Sequence, residues 1–476
     1  MRKNSFSKAV GFLTAFIFII TPWVWADEVQ LMTLINDLQK QMERLQGTIE
    51  HQASEIRELK SGGLQVSGPS QGESATPPMS DYEFNERLGA ALGGANKWLK
   101  ELKMSGDLRL RYEAFDFTSG HPSETDSRNR FRYRLRYGFE KTFNPDMKIG
   151  FSMASGESSS GVQVDPTSTN TTFDNLFNFK DIFIEKAYAT YTPPFLRGGL
   201  VQKTELTAGK LTNPFEKGSS DIVWDRDVKP EGIYEKVDVK LLDSRDMDVS
   251  AYLTLGQFIL DEDAVTGGDA ELFAHQLGVN PVIYTPFLER PVELLTAASY
   301  YNFSNYAAAN NFSIGGTSLA RGNSNVFDGK TLELDAEGFE VWEIYNELSF
   351  YPGGLPIRPF FDYAHNIGND LFSDQSGAYA LGIKMGGIVK KGDWETSYAY
   401  KRIEPDSTVG AFNDSDFGNG HSGKRGSVFK AAYALTDNIQ LNAAAIFVNN
   451  LAAGNPLTTV RDEEQRRFQT DLVWKF

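Results

Sequence analysis

From residue 104 to the C-terminus, polar and apolar residues alternate with a period of two. In RNRFRYRLRY, Arg128, Arg130, Arg132, Arg134 and Arg136 take turns with Asn129, Phe131, Tyr133, Leu135 and Tyr137. Only an extended strand sorts such a series onto two faces. At the C-terminus Phe468, Thr470, Leu472, Trp474 and Phe476 share one face, and Gln469, Asp471, Val473 and Lys475 the other. Read throughout, the pattern predicts about sixteen strands (fourteen to eighteen), beginning at 104–113 and 128–143 and ending at 439–448 and 464–476. Short turns such as Asn144-Pro145-Asp146, Lys390-Lys391-Gly392 and Leu435-Thr436-Asp437-Asn438 alternate with long polar connections near 114–127, 156–180, 211–230, 304–336, 404–425 and 449–463. Short connections at one end, long ones at the other and an even strand number predict an all-β fold, a transmembrane antiparallel up-and-down β-barrel over 104–476. A soluble β-sandwich would not separate its connections this way.

The N-terminal part has other periods. Leu31, Ile35, Leu38, Met42, Leu45, Ile49, Ile56 and Leu59 follow steps of four and three, with Gln52 the one polar residue on the stripe. That is a coiled-coil seam over 27–60, about 45 Å long, and it predicts a homo-oligomer; a single amphipathic helix is the alternative. From Ser61 to Ser80 the composition turns to Ser, Gly, Gln and Pro, a flexible linker within 61–103 that ends in a short helix near 82–101. At the start, Arg2, Lys3 and Lys8 precede an apolar run from Ala9 to Ile20, and Val24-Trp25-Ala26 supplies a cleavage site. Residues 1–26 therefore read as a secretory signal peptide, and the run is shorter than the roughly 20 residues of a spanning helix.

Composition narrows the function. The 476 residues include no cysteine, which removes disulfides and thiolate chemistry. The net charge is −16, and −19 without Arg2, Lys3 and Lys8, so a nucleic-acid partner is not expected. His51, His121, His275, His365 and His421 are scattered, and no nucleophile motif accompanies them. No catalytic residue, metal site or cofactor is predicted. The 34 Phe, 19 Tyr and 7 Trp are assigned to the outer wall and its interfacial girdles.

A charge on the lipid face at mid-bilayer costs roughly 2–4 kcal/mol, so Arg130, Arg132, Arg134 and Arg136 are predicted to point into the lumen. Arg109 and Arg111, alternating with Leu108, Leu110 and Tyr112, add two guanidiniums to the adjoining wall. This basic ladder would favour anions if it faces the pore unneutralised. Alternatively, the arginines balance acidic loops or wall carboxylates. Glu343 and Glu347 also fall on the lumen face.

The segments KMSGDLRLRYE (103–113), RNRFRYRLRYGFE (128–140), DPTSTNTTFDN (165–175), EKAYATY (185–191), GKLTNPF (209–215) and VWDRDVKPEG (223–232), with the heptad stalk and terminal Phe476, resemble the bacterial "putative porin" family, a relative of the phosphate-selective porins. The resemblance implies a homotrimeric diffusion channel in the outer membrane of a Gram-negative bacterium, contacting outer-membrane lipid and lipopolysaccharide, with the stalk in the periplasm. It implies that the third long loop folds inward, which makes Asp221, Trp224, Asp225, Arg226 and Asp227 the candidate constriction residues. It also implies that Phe476 is the signal read by the barrel-assembly machinery. The expected function is passive diffusion of small hydrophilic solutes or ions, without enzyme activity. The alternative is a tether in which the coiled coil reaches the peptidoglycan.

Overall fold

The computed structural model describes residues 101–118, 127–157, 165–262, 269–306, 339–368, 375–451 and 464–476, with short pieces between 313 and 334. Met1–Asn85 and Glu86–Phe476 are separate units. The signal peptide read at 1–26, the coiled coil at 27–60 and the linker and helix up to residue 100 lie outside the described residues.

The alternating segments form sixteen barrel strands among the described residues: β1 (Leu102–Thr118), β2 (Ser127–Asn144), β3 (Met147–Ser155), β4 (Ile182–Tyr191), β5 (Val201–Lys210), β6 (Glu231–Asp243), β7 (Met247–Asp261), β8 (Ala270–Ile283), β9 (Val292–Ser304), β10 (Phe339–Ser349), β11 (Ile357–Asn366), β12 (Gly377–Gly386), β13 (Trp394–Ile403), β14 (Lys424–Ala434), β15 (Ile439–Asn450) and β16 (Glu464–Lys475). Each pairs antiparallel with its chain neighbours. Leu108 opposite Trp474 and Leu110 opposite Leu472 join β1 to β16. The sheet is thus closed, with no free edge strand. Two connections at the long-loop end, 262–269 and 367–376, join the six read from the sequence.

Burial is sorted inside out compared with a soluble protein. Leu110, Tyr112, Phe131, Trp342, Tyr398 and Phe429 are exposed on the outer face, whereas Arg111, Glu113, Gln276 and Glu343 are buried on the inner one. In lipid every backbone group must bond within the protein, and the closed ladder does this. Leu110→Arg would place a guanidinium on the lipid side between Tyr133 and Leu472. We expect a loss of about 2–4 kcal/mol in unfolding free energy from bilayers; a variant as stable as wild type would contradict the outward assignment.

Both chain ends of the barrel meet at the short-turn end. Phe476 N donates to Gly106 O at 3.1 Å, and Gly106 N to Phe476 O at 2.8 Å. A Cβ on Gly106 would sit 2.6 Å from the Phe476 ring, so only glycine lets the terminal aromatic lie there. Toward the opposite end β3 stops early, and Thr171–Thr172 takes its place beside Arg132 and Tyr133 of β2. This brings the preceding residues, 165–170, to the arginine wall.

Candidate pore constriction

The third long connection, loop 3 (211–230), folds into the barrel because much of it is apolar. Leu211, Phe215, Ile222, Val223, Trp224 and Val228 are buried in one cluster with Phe258, Leu272, Tyr301, Phe303 and Val341 of the inner wall. Phe215 meets Phe258 and Tyr301 edge-on, with ring centres 6.3 and 5.8 Å apart. Trp224 lies flat on Phe412 of loop 7 (404–423), 5.5 Å away at an interplanar angle of 10°. Polar bonds fix the backbone beside these rings. Ser219 Oγ donates to Glu343 Oε1 at 2.6 Å, Ser220 N to Asp362 Oδ2 at 2.8 Å, and Asp225 N to the Phe412 carbonyl at 2.6 Å.

Loop 7 is the partner that sequence reasoning missed. Asp225 Oδ2 accepts from Ser415 N at 2.8 Å, and Ser415 Oγ donates to Thr167 O at 2.8 Å. The 156–180 connection at Thr167, loop 3 and loop 7 are therefore tied together inside the barrel. Lys401 of β13 anchors both inward loops, 2.8 Å from Asp221 and 3.0 Å from Asp414. Asp227 reaches the opposite wall, 2.7 Å from Arg136.

All six ladder arginines lie on the inner side, and each has a carboxylate beside it. Arg109 is 3.9 Å from Asp471. Arg111 is 2.7 Å from Asp471 and 3.2 Å from Asp416. Arg130 and Arg132 are 2.6 and 3.9 Å from Glu113. Arg134 is 2.7 Å from Asp107, and Arg136 is 2.8 Å from Glu185. In the structure the ladder is thus paired with carboxylates rather than left unneutralised. The same alternation that exposed the arginines places Asp107, Glu113 and Asp471 among them, so this balance was readable from parity.

Two cavities, of about 410 and 810 Å³, lie within the barrel. Their linings share Arg134, Arg226 and Asp227, which therefore stand where the two meet. Arg134 is ion-paired with Asp107 and Asp227 with Arg136; Arg226 is exposed and its guanidinium has no ion-pair or hydrogen-bond partner among the described residues. Of the loop 3 candidates, Asp221 and Asp227 are bound to the walls, Asp225 to loop 7, and Trp224 is an anchor only 4% exposed. Arg226 alone of the five faces open space without a partner.

Burial pushes the Asp225 carboxyl well above the usual carboxylate range, and Asp414 and Asp227 push it further. Burial opposes ionisation of Asp416 and Asp227 too, but Arg111 and Arg467 hold Asp416 well below that range, and Arg136 and Arg134 hold Asp227 below it. The loop acids therefore divide by partner. Those facing guanidiniums stay charged, and the one facing other acids is driven toward its neutral form.

Residues 121–354 and 336–459 match the sequence family described as "Putative porin". The chain belongs to this porin family. As a member it is an outer-membrane channel, and the inward loops lie across that channel. Among solved structures, the porin is similar to OprB of Pseudomonas putida at high pH, with 11% identity over 81% of this chain and 96% of that one and a TM-score of 0.46. It is also similar to OmpF of Salmonella typhi in complex with daunomycin, with 11% identity over 79% and 97% and a TM-score of 0.43. No curated protein sequence matches it.

Proposed function

We propose that this porin passes small hydrophilic solutes and ions by diffusion, with a weak preference for anions set by Arg226 rather than by the arginine ladder. The observation that carries the proposal is the meeting of the two cavities at Arg134, Arg226 and Asp227, where Arg226 is the one member without a counter-ion. The smaller cavity is lined by seven basic and seven acidic side chains among the described residues. One of those acids is Asp225, which is driven toward neutrality, so the surplus is about one positive charge. A pore selects by its width and by the few charges at its narrow section, and one unpaired guanidinium there favours anions modestly.

Reversal potentials across planar bilayers under a salt gradient test this. The wild-type channel is expected to prefer anions weakly, Arg226→Gln to lose the preference and Arg226→Glu to reverse it. A wild-type cation preference, or an Arg226→Glu channel still preferring anions, overturns the assignment. The trimer and a periplasmic coiled coil at 27–60 belong to the same proposal; the heptad of Leu31 to Leu59 supports an oligomer, and the family resemblance supplies its number.

A further inference from the structure

Along β13 to β16 the outer face carries a continuous row of rings. Tyr398 and Phe429 are 4.8 Å apart, Phe429 and Phe447 6.3 Å, and Phe447 and Phe468 5.8 Å. Rings on the outer face of a membrane barrel pack against lipid, and charged side chains on that face belong beyond the hydrocarbon, near the strand ends. Toward the long-loop end, two outward positions past Tyr398 and Phe429 and next to the last residues of the strands, Arg402 and Arg425 are direct cross-strand partners. Both are outward. Arg402 shares the parity of Tyr398 and Tyr400, opposite to buried Lys401 and Ile403, and Arg425 shares that of exposed Phe429 and Tyr433.

Like charges directly opposite on adjacent strands are destabilising, and compensation here is incomplete. Arg402 donates to Glu404 Oε1 at 3.0 Å, while Glu404 Oε2 is engaged by Gly377 N at 2.9 Å. Arg425 is exposed and its guanidinium has no ion-pair or hydrogen-bond partner among the described residues. Its neighbour on the other side is the neutral Asn449. Two guanidiniums side by side present a fork geometry suited to a phosphate's oxygens.

From this juxtaposition we infer that Arg402 and Arg425 form a binding site for the phosphate of a membrane lipid headgroup in the leaflet at the long-loop side. The setting at the strand ends, beside outward-facing rings, decides the source. A free phosphate would need no aromatic shelf beneath the arginines, whereas a lipid phosphate sits at this level while its acyl chains lie along Phe429 and Phe447. Headgroup sites in membrane proteins are built in this way, from basic side chains near the interface.

The test uses the full-length protein purified in neutral detergent, with retention of a diphosphorylated glucosamine lipid (lipid A) measured by native mass spectrometry and by titration. Its dephosphorylated counterpart and inorganic phosphate serve as the other two arms. Wild type should retain the phosphorylated lipid, bind the dephosphorylated one about tenfold more weakly or worse, and show no saturable inorganic phosphate binding. Arg425→Gln should weaken retention roughly tenfold, the double variant with Arg402→Gln further, and Arg425→Lys less. Gel mobility and channel conductance establish that each variant is folded. Equal retention by the folded double variant, or of the dephosphorylated lipid, overturns the site; saturable inorganic phosphate binding abolished by the same substitutions overturns the lipid as its source.

Discussion

Glu113→Ala is expected to lower the stability of the barrel more than any other single substitution of an inner-wall carboxylate. Glu113 is fully buried and serves three guanidiniums: Arg130 at 2.6 Å, Arg467 at 3.6 Å and Arg132 at 3.9 Å. It also accepts from Gln469 Nε2 at 2.9 Å. Arg130 and Arg467 in turn sandwich the Phe115 ring, 4.7 and 4.5 Å from its centre. Removing the carboxylate leaves buried charge uncompensated on β1, β2 and β16, the seam where the chain closes on itself. Breaking a buried pair from one side costs about 3–5 kcal/mol. The low end applies, because Asp416 still faces Arg467 at 3.1 Å and Asn170 O still accepts from Arg132 at 3.1 Å. Glu113→Gln keeps the hydrogen-bonding shape and should fall between the two. The measurement is the temperature at which the compact form is lost in gel mobility or circular dichroism. An unchanged midpoint in Glu113→Ala would mean that the arginines are held by something other than this carboxylate.

The same seam shows what alternation can and cannot reveal. Parity reads β2 almost end to end, since 128–143 is expected and Ser127–Asn144 is observed, because its outer residues from Phe131 to Phe139 are all large and mostly apolar. It reads β1 only over 104–113, yet the strand continues to Thr118. The break lies at Phe115, an aromatic facing inward where a charge is expected. Its burial rests on Arg130 and Arg467, and the second of these is distant in sequence. At β5 the reading begins at Thr204 although the strand starts at Val201, because a bulge between Val201 and Lys203 shifts the period. The constriction is less legible still. Loop 3 can be picked out, but loop 7 looks like an ordinary polar connection. What draws it inward is Phe412 against Trp224 and Ser415 against Asp225, the latter 190 residues apart, contacts that no local pattern encodes.

That dependence makes Trp224→Ala the substitution with the largest expected effect on conduction. Trp224 is held between Phe412 and Tyr301, whose ring centres are 5.5 and 5.8 Å away. Truncating a buried tryptophan to alanine costs about 3–5 kcal/mol where it packs. Here the cost falls on the docking of loop 3 against loop 7, since neither partner ring is needed to close the sixteen-stranded ladder. Hydrogen bonds from Ser219 to Glu343 and Ser220 to Asp362, with the ion pair of Asp221 and Lys401, still hold the first part of the loop. The segment carrying Asp225, Arg226 and Asp227 loses its anchor between those ties and Arg136. Single-channel recordings should therefore show larger and noisier openings and a weaker charge preference, while the unfolding midpoint moves little. Trp224→Phe, which keeps a ring over Phe412, should stay close to wild type. If Trp224→Ala conducts like wild type, loop 3 is fixed by its polar bonds alone, and the aromatic stack is not what holds Arg226 in the passage.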